Sequence, residues 1–315
     1  MKQIIKTIDL TKYFKVKTGY LHAVDGINIE INKGKTLGVV GESGCGKSTL
    51  GRLVLRLIEA TSGQILFDGQ DILKFGKGEM KTFRQEMQII FQDPFSSLNP
   101  RMSVFEIIAE PLIMNNVFKN KKDMADKIFN LMETVGLADR FVNTYPHEMD
   151  GGRRQRVGVA RALALNPKFI VCDEPVSALD MSIQAQILNL LMDLQQEMEL
   201  SYMFITHDLS VVKHISDEIV VMYLGQCVER AESKELFKNP LHPYTKALLS
   251  AIPVAKITES KDRKIIRGEV SDPINPKPGC RFAARCDYCN PKCIGQDIQL
   301  ADQGNGHFVA CTLFW

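Results

Sequence analysis

The chain lacks any apolar run approaching the ~20 residues that a bilayer-spanning helix needs, so a role at a membrane would require a partner that spans it. Its start, MKQIIKTIDLTKYF, has no long apolar core of the kind that a secretory signal carries, and the expectation is a protein that stays in the cytosol. Bulk charge is missing too. The 39 basic and 37 acidic residues leave a net charge of +2, and the basic residues are spread rather than blocked, which argues against nucleic acid as a partner. No internal repeat or low-complexity tract is evident. Cysteine is sparse until the end: Cys45, Cys172 and Cys227 are scattered, whereas five of the eight lie in residues 280–311. In a reducing compartment such a cluster points to a metal site rather than a disulfide framework.

What remains is an ordinary globular balance, 45% hydrophobic and 24% charged, over a length of 315 residues that suits one large domain or two modest ones. The first 70 residues are strand-rich. GINIEI alternates Ile27, Ile29 and Ile31, KTLGVVG is an apolar run stopped by glycine, and QILFDG closes on an Asp-Gly turn. From about residue 84 to 165 the pattern turns helical and predicts a separate lobe. There, KKDMADKIFNLMETVGL places Met124, Ile128, Leu131, Met132 and Val135 on one face. KFIVCDE, YMFITHD and EIVVMYLG read as further strands, and SIQAQILNLLMDLQQEM as an amphipathic helix with Ile183, Ile187, Leu190, Leu191 and Leu194 inward. Strands alternating with helices indicate an α/β fold with a mostly parallel sheet. After residue 240, proline-rich stretches without periodicity suggest an irregular tail that its cysteines fold locally.

GESGCGKST, residues 41–49, fits G-x-x-x-x-G-K-[ST], follows a strand and opens a helix whose inner face is Leu50, Leu53, Val54 and Leu57. Glycines let backbone N–H groups of Gly41, Ser43, Gly44, Cys45 and Gly46 wrap phosphates, and the helix start at Lys47, Ser48 and Thr49 adds its dipole. Lys47 would neutralise the β- and γ-phosphates of ATP, and Ser48 would offer a hydroxyl to Mg²⁺. Cys45 reads as a small filler. FIVCDEP then supplies two acids at a strand end: Asp173 for Mg²⁺ and Glu174 as the general base that orients the attacking water. His207 in ITHD is placed to report the γ-phosphate, and the amide of Gln92 in IIFQDP to touch Mg²⁺ or the water.

In this order, GESGCGKST, FQDP, DGGRRQRVGVARAL, FIVCDEP, SALD and ITHD resemble the nucleotide-binding subunits of ABC transporters over residues 1 to about 250. NPLHPYTKALLSAIP, GEVSDPINPKPGC, RFAARC and HFVAC narrow the resemblance to the oligopeptide, dipeptide and nickel importers. The resemblance implies a P-loop NTPase core over 1–240 with an N-terminal antiparallel β subdomain and a helical subdomain at about 93–160. A cysteine-rich extension would fill 241–315. It also implies a second, similar ATPase as head-to-tail partner, two permease subunits, a solute-binding protein, and a place on the cytoplasmic face of the membrane. Phe14, rather than Tyr13, would stack on adenine, or else pack under the sheet. The Ser177–Asp180 loop would line the dimer seam, and QDPFSSLNP would press on a membrane partner. Cys280, Cys286, Cys293 and Cys311 match four cysteine positions of that subgroup's tail, suggesting a [4Fe–4S] cluster, with zinc as the alternative. Cys289 is left over, and His307 reads as structural. Other readings are a soluble ABC-family ATPase acting on nucleic acid or ribosomes, and an ATP-dependent clamp that does not hydrolyse.

One motif departs from the family pattern. Where the signature reads Leu-Ser-Gly-Gly-Gln, this chain has Met149, Asp150, Gly151, Gly152 and Arg153. The hydroxyl that would donate to a phosphate is replaced by a carboxylate that only accepts. At ~4 Å and an effective dielectric near 20, the repulsion is about 4 kcal/mol before solvent and Mg²⁺ reduce it. The expectation is a degraded signature loop, unless Arg153 or Arg154 pairs with Asp150 and turns it away.

Overall fold

The computed structural model describes residues 2–252, 268 and 271–315. They fall into two compact units, one built from Gln3–Leu73 with Phe204–Trp315, the other from Lys74–Met203 with Lys2.

In the first unit β1 (Gln3–Val16), β2 (Gly19–Ile27) and β3 (Glu30–Asn32) precede β4 (Thr36–Val40), α1 (Lys47–Val54), β5 (Ser62–Phe67) and β6 (Gln70–Asp71). The antiparallel order is β2-β1-β5-β6, with β3 beside β1. Ile27, Ile29 and Ile31 are all buried, as their alternation requires, yet the strand is interrupted between β2 and β3. The Thr7 hydroxyl donates to the Ile27 carbonyl and accepts from the Ile29 amide, while the Thr7 amide donates to the Ile29 carbonyl, so a side chain bridges the break. β4 is buried throughout. α1 buries Leu50, Leu53 and Val54 but ends at Val54, so Leu57 is half exposed instead of facing inward.

The second unit holds α2 (Lys77–Glu86), β7 (Met87–Ile90), α3 (Pro94–Ser97), α4 (Val104–Met114), α5 (Lys121–Thr134), α6 (Gly151–Leu163), β8 (Phe169–Asp173) and α7 (Met181–Met198). β7 runs parallel to β8, from Met87 opposite Phe169 to Ile90 opposite Cys172. A strand thus lies inside the stretch, about 84 to 165, whose pattern reads as helical. MQII is four residues long, too short to carry a helical period. α6 packs against α3, α4, α5 and α7. α5 buries Ile128, Leu131 and Met132, and Gly136, at φ +70°, follows its C-cap residue Val135. β9 (Ser201–Thr206) carries the chain from this unit into the first.

There α8 (Leu209–Ile215) and β10 (Glu218–Tyr223) are followed by β11 (Gln226–Glu232), α9 (Ser233–Lys238), α10 (Pro243–Ser250), β12 (Ala301–Asp302) and β13 (Phe308–Val309). β10 is parallel to β4 and antiparallel to β11, on which β13 and then β12 are laid. The tail is therefore more regular than its prolines suggested. Pro243 stands at the start of α10, where a missing N–H costs nothing, and His242 caps it. Farther on, the His22 amide donates to Pro273 and the Asn275 amide to Tyr20, tying the tail to β2. Residues 253–267 and 269–270, including Pro253, Glu269 and Val270 of the quoted tail motifs, lie outside the described residues.

Candidate nucleotide-binding site

The phosphate loop joins β4 to α1 in the first unit. Gly46 has φ +103°, and a Cβ there would meet the Ala23 carbonyl oxygen at 2.0 Å, so no other residue fits. As the N-cap of α1, Gly46 has no side chain to cap it, a helix start of the kind that receives an anion. Lys47 is buried, and its Nζ donates to the carbonyls of Gly41 at 2.8 Å and Glu42 at 3.0 Å. Cys45 is buried as well; burial pushes its thiol up, with the Lys47 charge opposing, which agrees with a filler. Ser43 and Gly44 are exposed, while Ser48 and Thr49 are half-buried in the first turn. His207, exposed, follows β9 directly. Phe14 is 37% exposed with Lys12 Nζ 5.0 Å from its ring centre. Tyr13 is committed elsewhere: it stacks on His22 and donates to Asp25 at 2.5 Å.

The second unit holds the remaining residues predicted for the nucleotide. Asp173 ends β8 and is buried. Glu174 follows with φ +47°, the left-handed region that a non-glycine residue seldom occupies and that clusters at active sites. Gln92, 82 residues away in sequence, donates its amide to Glu174 Oε2 at 3.0 Å. The Ser177 hydroxyl donates to the Glu174 carbonyl at 3.1 Å. Asp150 is the N-cap of α6: its Oδ1 accepts from the Arg153 amide at 2.8 Å, and its Oδ2 pairs with the Arg153 guanidinium at 3.0 Å. Of the two arginines considered, the partner is Arg153. Arg154 instead donates from Nε to the Pro146 carbonyl at 2.6 Å and lies over Phe95. Gly151 and Gly152 form the first turn behind this cap.

Cys280, Cys286, Cys293 and Cys311 line one small recess, partly open to solvent, together with His242, Tyr288 and Thr312. Burial raises the Cys280 thiol to about 12 and raises Cys286 and Cys311, and the neighbouring cysteines push each further up. No three His, Cys, Asp or Glu side chains among the described residues form a group that would hold a metal ion. Cys289 is exposed. His307 is buried against Glu229, 2.8 Å away, the structural role expected of it.

Residues 24–177 match the ABC transporter family, and residues 228–293 match the C-terminal region of oligopeptide/dipeptide transporters. The chain is 48% identical to the oligopeptide transport ATP-binding protein AppF of Bacillus subtilis, over 99% of this chain and 97% of that protein. It is also 48% identical to the dipeptide transport ATP-binding protein DppF of Escherichia coli, over 98% and 93%. The chain belongs to the ABC transporter ATPases, in their oligopeptide/dipeptide branch.

Solved ABC cassettes share the fold of this ABC ATPase. The ATP-binding cassette MJ0796 bound to ADP and Pi superposes with a TM-score of 0.66 at 27% identity, covering 73% of this chain and 98% of that one. cbiO1 from Clostridium perfringens gives 0.68 at 28%, covering 76% and 92%. The P-loop NTPase core and the N-terminal antiparallel sheet predicted from the sequence are thereby established. No helix among the described residues is long and apolar enough to cross a membrane.

Residue patterns missed one group in this ABC ATPase. Tyr244, Arg281 and Arg285 reach the nucleotide-binding segments of the first unit from the tail. A signal was present: Glu42 is an acid inside a loop built for anions, and RFAARC carries two arginines.

Proposed function

We propose that this ABC ATPase drives import of oligopeptides or dipeptides, with nickel chelates as the other cargo of the resembled group, from the cytoplasmic face of the membrane. It would work beneath two permease subunits fed by a solute-binding protein and beside a second, non-identical ATPase. The observation that carries this reading is 48% identity over nearly the whole chain, C-terminal region included, to oligopeptide and dipeptide transport ATP-binding proteins. Phe95, Ile113, Met114 and Val117 are exposed apolar side chains on the helical unit that a membrane partner would cover.

In this reading Lys47 and the amides of residues 41–49 hold the triphosphate, and Phe14 stacks on adenine. The hydroxyl of Ser48, the buried carboxylate of Asp173 and the amide of Gln92 are hard oxygen donors suited to Mg²⁺, which would neutralise charge developing on the phosphates. Glu174, oriented by Gln92, takes a proton from water as its oxygen bonds to the γ-phosphorus. The bridging P–O bond breaks and ADP leaves with the electron pair. His207 senses the γ-phosphate. Asp150 puts a carboxylate where the signature serine would donate; its exposed pairing with Arg153 offsets part of that charge, and in this reading enough remains for the site that this chain's signature loop completes on the partner to turn over slowly. The site on Lys47 and Glu174 would carry the hydrolysis, completed by the partner's signature. The four tail cysteines share one recess but are not grouped to hold a metal ion as they stand; closing on a [4Fe–4S] cluster or on zinc, the group that the resemblance implies, would staple the tail.

Purified alone, the chain is expected to hydrolyse ATP poorly even when it dimerises, and turnover should appear when the second ATPase and the permeases are added. Brisk turnover by the homodimer would contradict the degraded signature. Lys47→Ala leaving nucleotide affinity intact would contradict the whole scheme.

A further inference from the structure

Glu42 stands next to Gly41 in the phosphate loop and brings a carboxylate to a place built for anions. Both of its oxygens are taken: they accept from the two terminal nitrogens of Arg285 at 2.7 and 3.1 Å. Arg285 also donates to the Tyr223 hydroxyl at 3.2 Å, and its side chain is only 7% exposed. Hydrogen bonding to Glu42 pushes the guanidinium pKa further up. The Glu42 amide donates to the Tyr244 hydroxyl at 2.8 Å. Tyr223, Tyr244 and Phe282 pack edge-on or tilted against one another, with ring centres 4.7 to 5.3 Å apart. The loop residue is thus held twice from behind, by side chain and by backbone, and both holds come from beyond residue 240. A two-pronged contact of this kind fits a guanidinium and not an ammonium.

Without Arg285, the Glu42 carboxylate would swing free beside Lys47 and compete with the triphosphate for its ammonium. We propose that Arg285 is a positioning residue for the nucleotide. It neutralises Glu42 and turns the carboxylate out of the phosphate cradle, so that ATP affinity depends on the C-terminal region. A second strap supports the first: Arg281 donates to the Leu224 carbonyl and to Asp25, the residue that also holds Tyr13, next to Phe14.

The proposal rests on the reading of residues 41–49 as the ATP site, and Lys47→Ala tests that reading separately by abolishing binding. Equilibrium dialysis of MgATP against the purified full-length chain decides between a charge-positioning role and a bare structural pin. Arg285→Gln is expected to weaken binding roughly tenfold, a typical coupling between sites. The double variant Glu42→Gln/Arg285→Gln should return to within about twofold of the wild type, because no stray carboxylate is left to compete. In the assembled transporter the single variant should raise KM and leave kcat largely unchanged. Arg285→Gln binding as tightly as the wild type overturns the proposal, as does a double variant as weak as the single one. Should Arg285→Gln fail to fold, Arg285→Lys, which keeps the charge but loses one prong, must still bind more weakly and be restored by Glu42→Gln; failure of that restoration also overturns it.

Discussion

Asp150 shows how one carboxylate serves two opposed demands. As N-cap of α6 it satisfies a helix-start amide and sits favourably at the positive end of the helix dipole, a job that serine does equally well. Its pairing with Arg153 is surface-exposed and worth at most about 1 kcal/mol. The structural and electrostatic roles can therefore be separated by substitution. Asp150→Ala removes the cap and should cost about 1 kcal/mol, or roughly 2–4 °C of midpoint in a thermal melt. Asp150→Ser keeps the cap and should melt within about 1 °C of the wild type. If the charge is what degrades the signature loop, the serine variant alone should raise ATP turnover of the purified chain about fivefold, the factor that ~1 kcal/mol provides. Equal turnover in the serine variant and the wild type would mean that the Arg153 pairing already neutralises the carboxylate.

At the scale of elements, α10 depends on a histidine that must stay neutral. His242 Nδ1 accepts from the Tyr244 amide at 3.1 Å, which it can do only without a proton there. Burial, helped by the Lys246 charge, lowers its pKa from 6.5 to about 3. Because the folded value lies below the unfolded one, the stabilisation is fully present above pH 6.5 and is lost as pH falls from there towards 3. At pH 5 about 2 kcal/mol should be gone. Urea melts at pH 7 and pH 5 should show this loss in the wild type, and His242→Asn, which caps without titrating, should flatten it. This helix also shows what sequence pattern misses. An eight-residue helix opened by proline and buried through Pro243, Tyr244, Thr245 and Ala247 has no hydrophobic stripe to read. β7 and the break between β2 and β3 were missed for related reasons, since four residues carry no period and the Thr7 contacts are invisible until the strands pair. The long, amphipathic α5 and α7 were legible from their helical period, and the wholly buried β4 and β8 as short apolar runs bounded by break signals.

At the scale of the whole molecule, the candidate nucleotide-binding residues could be named from the sequence because each motif is local, with glycines, lysine and hydroxyls in one loop or two acids at one strand end. The tail's hold on that machinery was not, since Arg285 and Glu42 are 243 residues apart and neither belongs to a pattern. The same distance gives the cysteine recess a functional reach. Arg281 and Arg285 fall between Cys280 and Cys286, so whatever fixes those cysteines fixes the arginines that grip Asp25 and Glu42. The thiols of Cys280, Cys286 and Cys311 are pushed up by burial and by one another, a cost of ionisation that a bound cation would remove by stabilising the thiolates. Protein purified without oxygen is expected to contain iron and to absorb near ~400 nm, and both signals should vanish in Cys280→Ser/Cys311→Ser. That variant should also melt earlier and bind MgATP more weakly, in the same direction as Arg285→Gln, because the straps lose their anchor. Zinc in place of iron, without the absorbance, would keep the staple and change its identity. A protein free of both metals whose cysteine variant melts and binds ATP like the wild type would reduce the recess to packing and leave the two arginines to hold the phosphate loop unaided.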